Sequence, residues 1–168
     1  PGAGAPFTIT EIARFNEPWA MAFLPDGRAL ISEKAGALVI WNGKAKTKTN
    51  VADIPGSAYG GQGGFGDVVL HPQFATNGMI YMSWVERDRE GLGAVVGRAK
   101  LVENGGSAKI EGLSTLWRQA PKVSGRGHFG HRIAFGPDGM LYISSGARQQ
   151  FDPAQDMSGN LGKVVPLH

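Results

Sequence analysis

Trp19-Ala-Met-Ala-Phe-Leu-Pro-Asp-Gly-Arg-Ala-Leu-Ile-Ser32 is an apolar run, a Pro-Asp-Gly turn and a second apolar run that ends in Ser. The pattern returns as Asp67-Val-Val-Leu-His-Pro-Gln-Phe-Ala-Thr-Asn-Gly-Met-Ile-Tyr-Met-Ser83. It returns again as Arg132-Ile-Ala-Phe-Gly-Pro-Asp-Gly-Met-Leu-Tyr-Ile-Ser-Ser145. Each copy reads as strand, turn, strand. Pro presets φ in the turn, and Asp or Asn followed by Gly supplies the positive-φ position that reverses the chain. The turn glycines Gly27, Gly78 and Gly139 lie 51 and 61 residues apart. Propeller blades repeat at about 40 to 50 residues, and somewhat more with long loops.

That spacing predicts one hairpin per blade, with further strands between hairpins at Leu38–Trp41, Ala94–Leu101 and Leu113–Gln119. The expected fold is all-β: a partial β-propeller of about three blades, each a four-stranded antiparallel sheet. A β-sandwich also carries regular turn signals, but the long period favours the propeller. No segment predicts a convincing helix; Ser114–Gln119 has apolar residues near helical spacing, yet it is short and Pro121 stops it. Propellers close with four to eight blades, so three repeats predict either a fragment or a half-ring completed by another molecule.

Composition agrees. The 168 residues are 42% hydrophobic and include 26 glycines and 10 prolines, a balance that suits short strands joined by tight turns. No apolar run approaches the ~20 residues of a membrane span. The formal charge is +3, and the densest basic stretch, Lys44, Lys46 and Lys48, has no interleaved aromatics. It reads as a solvated strand edge, not as the broad basic face that nucleic acid requires. The absence of cysteine excludes a disulfide framework and thiolate metal sites. Pro1 to Pro6 carry no initiator Met and no basic-then-apolar signal, and read as a mature or truncated start.

Two glycine-rich stretches are candidates for chemistry. Gly61-Gln-Gly-Gly-Phe-Gly66 fits the G-x-G-x-x-G pattern, with Glu86 twenty residues on. A dinucleotide fingerprint must follow a strand and open a helix; here a turn-like stretch precedes and a strand follows. The expectation is an irregular loop at a blade mouth, where Gln62 offers a neutral donor and acceptor. Gly125-Arg-Gly-His-Phe-Gly-His-Arg132 places two histidines three apart. Glycines break any helix that would aim both at a metal, and no third ligand is evident. His128 on this loop is placed to act as a general base, or else to hydrogen-bond a turn backbone. No G-x-S-x-G elbow or P-loop occurs.

Taken in order, Glu17-Pro-Trp-Ala-Met-Ala-Phe-Leu-Pro-Asp-Gly27, Gly61-Gln-Gly-Gly-Phe-Gly-Asp-Val-Val-Leu-His-Pro72 and His128-Phe-Gly-His-Arg-Ile-Ala-Phe-Gly-Pro-Asp-Gly-Met-Leu-Tyr142 resemble the glucose/sorbosone dehydrogenase family. That family includes soluble PQQ-dependent glucose and aldose sugar dehydrogenases. The tail from Asp152 to Val165 resembles the family's next segment. The resemblance implies a six-bladed propeller with PQQ near its axis, of which residues 1–168 are the N-terminal half of a single domain. It implies oxidation of the C1 hydroxyl of an aldose to a lactone, in a periplasmic or secreted protein. His128 falls at the family's catalytic base, and Gln62 at a glutamine that contacts PQQ. Gln150, or Gln149 if the loop is shifted by one, matches another amide near the cofactor; Arg148 follows the family pattern. Calcium bound to PQQ is implied as a Lewis acid, with its ligands and the cationic PQQ contacts beyond His168 and none among these residues. One position departs: Ala147 stands where the family carries an acidic residue that orients the base, which predicts reduced activity. The competing readings are a non-catalytic propeller that binds a protein or glycan, and a half-propeller that dimerises.

Overall fold

The hairpin that opens the chain's repeat is built as its turn residues dictate. In the computed structural model, which describes residue 4 and residues 6–168, strand β1 (Pro18–Phe23) turns at Gly27 into β2 (Ala29–Glu33). Gly27 has φ +85° and donates its N–H to the Leu24 carbonyl at 2.9 Å, while Asp26 accepts the Arg28 N–H at 3.0 Å. The third copy repeats these bonds residue for residue. Gly139, at φ +81°, donates to Gly136 at 3.0 Å, and Asp138 accepts from the Met140 N–H at 3.1 Å. The start expected at Pro1–Pro6 falls partly on residues 1–3 and 5, which lie outside the described residues.

Strands β3 (Ala37–Asn42) and β4 (Thr47–Ala52) complete a first antiparallel blade. The second blade is β5 (Phe65–Leu70), β6 (Met79–Arg87), β7 (Leu92–Asn104) and β8 (Ser107–Arg118). The third has β9 (Gly130–Phe135), β10 (Leu141–Ser145) and β11 (Lys163–Leu167), so three strands stand where a four-stranded sheet is expected. The inner strands lie side by side, with β5 between β1 and β9. At the outer edge β4 meets β8 in parallel at Val51–Ala108 and Ala52–Lys109. All three expected second-set strands lie within β3, β7 and β8, apart from Gln119 one residue past the end of β8.

Alternation along β6 shows how the blades stack. Ile80, Met82 and Trp84 enter the core shared with blade one, beside Leu30, Leu38 and Phe65. Tyr81 and Val85 enter the core shared with blade three, beside Phe129, Ile133 and Ile143. A strand buried on both faces reads as a near-continuous apolar run, as Met79–Val85 does apart from Ser83. Two further features differ from expectation. The second repeat's turn holds a one-turn helix, α1 (Phe74–Asn77), ended by Gly78 at φ +66°; its longer turn has room for the coil, and Phe74 packs on the core. Of the three lysines read as a strand edge, only Lys48 lies in β4; Lys44 and Lys46 belong to the preceding turn. Among the described residues no helix is long and apolar enough to cross a membrane, which says nothing of a β-barrel.

Candidate functional site

Antiparallel blades bring the start of an inner strand and the end of its neighbour to the same rim. Three loops meet there: Gly60–Gly64 before β5, Gly125–Phe129 before β9, and Gly146–Gln150 after β10. Backbone bonds stitch them together. The Gln62 N–H donates to the Arg126 carbonyl at 2.8 Å, and the Gln62 side-chain oxygen accepts the His128 N–H at 2.7 Å. The Gly146 N–H donates to Phe129 at 3.0 Å and the Arg148 N–H to His128 at 3.1 Å. Residue 146 has to be glycine for this, because a Cβ there would fall on the His128 carbonyl.

His128 is exposed and left-handed, at φ +49°; His131, Arg148 and Gln149 are also left-handed, at +57°, +54° and +59°. Such backbone costs about 1–2 kcal/mol for a residue with a Cβ. It persists where surrounding contacts over-determine it, and it clusters at functional sites. The structure therefore joins Gln62 to His128, as a local hydrogen bond that leaves the imidazole projecting from the rim. Gln149 is exposed and lays its amide over Gly127; Gln150 is exposed and donates its N–H to Ala147 at 2.8 Å.

Arg148, expected among the cofactor contacts, sits elsewhere. It is fully buried beneath the loop. Its Nε donates to Gly127 at 2.9 Å, its two terminal nitrogens donate to Leu92 and Gly125, and its guanidinium lies 3.8 Å over the Phe129 ring. Burial pulls its pKa down to about 10, so it stays a cation at neutral pH. It is a support of the site and not part of its open surface.

Two further residues support the loops: Gln119, which the sequence does not mark, and His131, which it marks only as half of a histidine pair. Gln119, 1% exposed, donates from Nε2 to Phe129 at 3.0 Å, to Ser145 at 2.9 Å and to Gly146 at 3.2 Å. Nothing in its sequence surroundings marks it, since it directly follows an ordinary strand and precedes Pro121 by two residues. His131 is 2% exposed and stacks on Trp19 at 5.1 Å. Its Nδ1 lies 2.7 Å from the Ser83 hydroxyl, which also accepts the Asp67 N–H at 2.7 Å. Either group can donate in the Ser83–His131 bond, because the hydroxyl keeps a second lone pair as well as its own proton. Burial first, then the Arg132 charge, hold this imidazole near pKa 4. Asp67 accepts N–H bonds from Ile133 at 2.8 Å and Val68 at 3.0 Å and pairs with Arg132 at 3.2 Å, while burial raises its carboxyl above the usual range. The two histidines thus diverge, one exposed and one locked inside. Among the described residues no three His, Cys, Asp or Glu side chains gather to hold a metal.

A family model described as Glucose / Sorbosone dehydrogenase matches residues 15–168. The aldose sugar dehydrogenase YliI of Escherichia coli K12 is 36% identical over 156 residues, covering 92% of this chain and 42% of the relative. Two solved structures share the fold. The soluble aldose sugar dehydrogenase from Escherichia coli in the apo-form has TM-score 0.85 at 37% identity, covering 90% of this chain and 44% of that one. The PQQ-bound aldose sugar dehydrogenase from Streptomyces coelicolor has TM-score 0.79 at 29% identity, covering 95% and 47%. The chain therefore spans somewhat under half the length of these relatives.

Proposed function

The chain belongs to the glucose/sorbosone dehydrogenase family, and from that premise we propose that it carries the base-bearing part of a PQQ-dependent sugar dehydrogenase site. The reaction is oxidation of an aldose at its C1 hydroxyl to the lactone. The observation that carries the reading is His128: an exposed imidazole on a left-handed loop residue whose backbone N–H is fixed by Gln62 and whose backbone carbonyl is fixed by Arg148. Residues 1–168 are, on this proposal, the N-terminal half of a single propeller domain in a periplasmic or secreted protein.

The donors at the rim fit PQQ in kind. Its quinone and carboxylate oxygens accept hydrogen bonds, and the exposed amides of Gln62, Gln149 and Gln150 together with the Arg126 guanidinium offer them. The described residues do not fit calcium, since they gather no carboxylate cluster; calcium ligands belong, on the resemblance, to the remaining length of the relatives. When bound, PQQ supplies a two-electron acceptor for the C1 hydride. This chain supplies the proton acceptor. A neutral imidazole holds a lone pair, and at hydrogen-bond distance from the C1 hydroxyl it takes that proton as hydride leaves C1. Gln62 holds the loop through its oxygen, which leaves its NH2 to face a ligand.

The test is sugar oxidation by the PQQ-loaded protein and its His128→Ala variant, with PQQ binding followed by quinone absorbance. Loss of the base lowers kcat by about 100-fold or more while PQQ still binds. A variant that oxidises aldoses at the original rate overturns the assignment.

A further inference from the structure

We propose that Arg148 is the positioning residue for His128, a buried cation that grips the base-bearing loop from below; this rests on the function proposed above. The loop Gly125-Arg-Gly-His-Phe-Gly130 holds three glycines, so its own sequence does little to fix it. Its conformation is nonetheless specific, with His128 at φ +49°. Arg148 holds it at four of the five residues from 125 to 129. The side chain donates to the carbonyls of Gly125 and Gly127, the backbone N–H donates to His128, and the guanidinium covers the Phe129 ring. The remaining terminal nitrogen donates to Leu92 and so anchors the loop to the first residue of β7. Gln119 completes the hold, bonding the Phe129 and Gly146 carbonyls through one amide nitrogen.

The choice of residue argues for a role in the loop and not in packing alone. Burying a charge carries a desolvation penalty that a Met or Leu of similar length avoids. Among the described residues no carboxylate pairs with Arg148 to offset it. What the guanidinium provides instead is a planar fork of charged donors, which bond more strongly than neutral ones. Here the fork matches carbonyls of two separate segments. A lysine in the same place reaches one acceptor well and leaves the others.

Amide hydrogen exchange on the chain, as Arg148→Met and Arg148→Lys, tests this without needing turnover. Both variants are expected to raise exchange at the His128 and Gln62 amides by about tenfold or more, a loss of local protection, while Ile31 and Val39 in blade one hold within about twofold. In the PQQ-loaded protein kcat falls about tenfold or more with KM for sugar little changed, as expected when only positioning is lost. If Arg148→Met is recovered unfolded, Arg148→Lys decides by the same criteria. Unchanged exchange at His128, an equal rise in blade one, or unchanged kcat overturns the proposal. The two readings fail separately: a fully active His128→Ala variant sinks the function, and a still-protected loop in both Arg148 variants sinks this inference.

Discussion

Ala147 is bracketed by two backbone contacts to the His128 loop, Gly146 to Phe129 and Arg148 to His128. Among the described residues no side chain bonds the His128 ring. An imidazole whose N–H meets a carboxylate is oriented and becomes a stronger base. On the function proposed above, and with the acidic residue that the family resemblance puts at this position, Ala147→Asp is expected to raise kcat for aldose oxidation about tenfold, a fraction of a general base's usual contribution. Steady-state rates of the two PQQ-loaded proteins decide it; equal rates reject the idea. His128 and Gln62 were legible in the sequence because glycine-rich surroundings mark them as loop residues. The inward course of Arg148 was not, because a left-handed φ at residue 148 sets where the side chain goes, and residue type alone carries no such information. Gln119 was hidden for a related reason: its partners are carbonyls 10 and 27 residues away.

Strand β9 joins three blades through one buried group. His131 stacks on Trp19 of β1, faces the Ser83 hydroxyl of β6 and lies so close to β5 that a Cβ on Gly66 would fall on its ring. The charged groups beside it are Arg132 on β9 and Asp67 on β5. Held near pKa 4 against an ordinary 6.5, His131 stays neutral in the fold. The unfolded chain takes up the proton first, so stability is full above pH 6.5 and falls as pH drops from 6.5 towards 4. The limit is about 3 kcal/mol, from ~1.36 kcal/mol per unit. Asp67, with its carboxyl raised by burial, acts in the opposite sense as pH rises through the carboxylate range. Urea midpoints measured between pH 7 and 4.5 should decline, and His131→Phe should flatten the decline; an equal slope in the variant refutes the assignment. The hairpins at Gly27 and Gly139 were legible because their turn chemistry is local. β4 was not legible in full, since Thr47–Ala52 is a polar outer strand that pairs with its neighbouring blade at two residues only. α1 is four residues long, too short for any periodicity to announce it.

Across the whole molecule, the spacing of three turn glycines foretold three blades, because each hairpin builds one inner corner. What that spacing leaves out is how the outermost faces are covered. On blade one, Met21 and Phe23 are 58% and 66% exposed. They project from the same side of β1 by its two-residue period. Met21 lines a groove of about 330 Å³ with Ile12, Trp19, Ile31 and Trp41. On blade three, Phe151, Met157 and Val164 are exposed, and β11 pairs only with β10 among the described residues. Apolar surface gains about 25 cal/mol for each Å² removed from water, and an open strand offers backbone bonds to another chain. The chain on its own is therefore expected to self-associate at micromolar concentration, with a concentration-dependent mass by light scattering. Met21→Asp combined with Phe23→Asp should shift it towards monomer while leaving the urea midpoint near its original value, since neither side chain belongs to the two inter-blade cores. A chain monomeric throughout the range, or a variant that associates equally, would show that these faces are not where the molecule meets a partner.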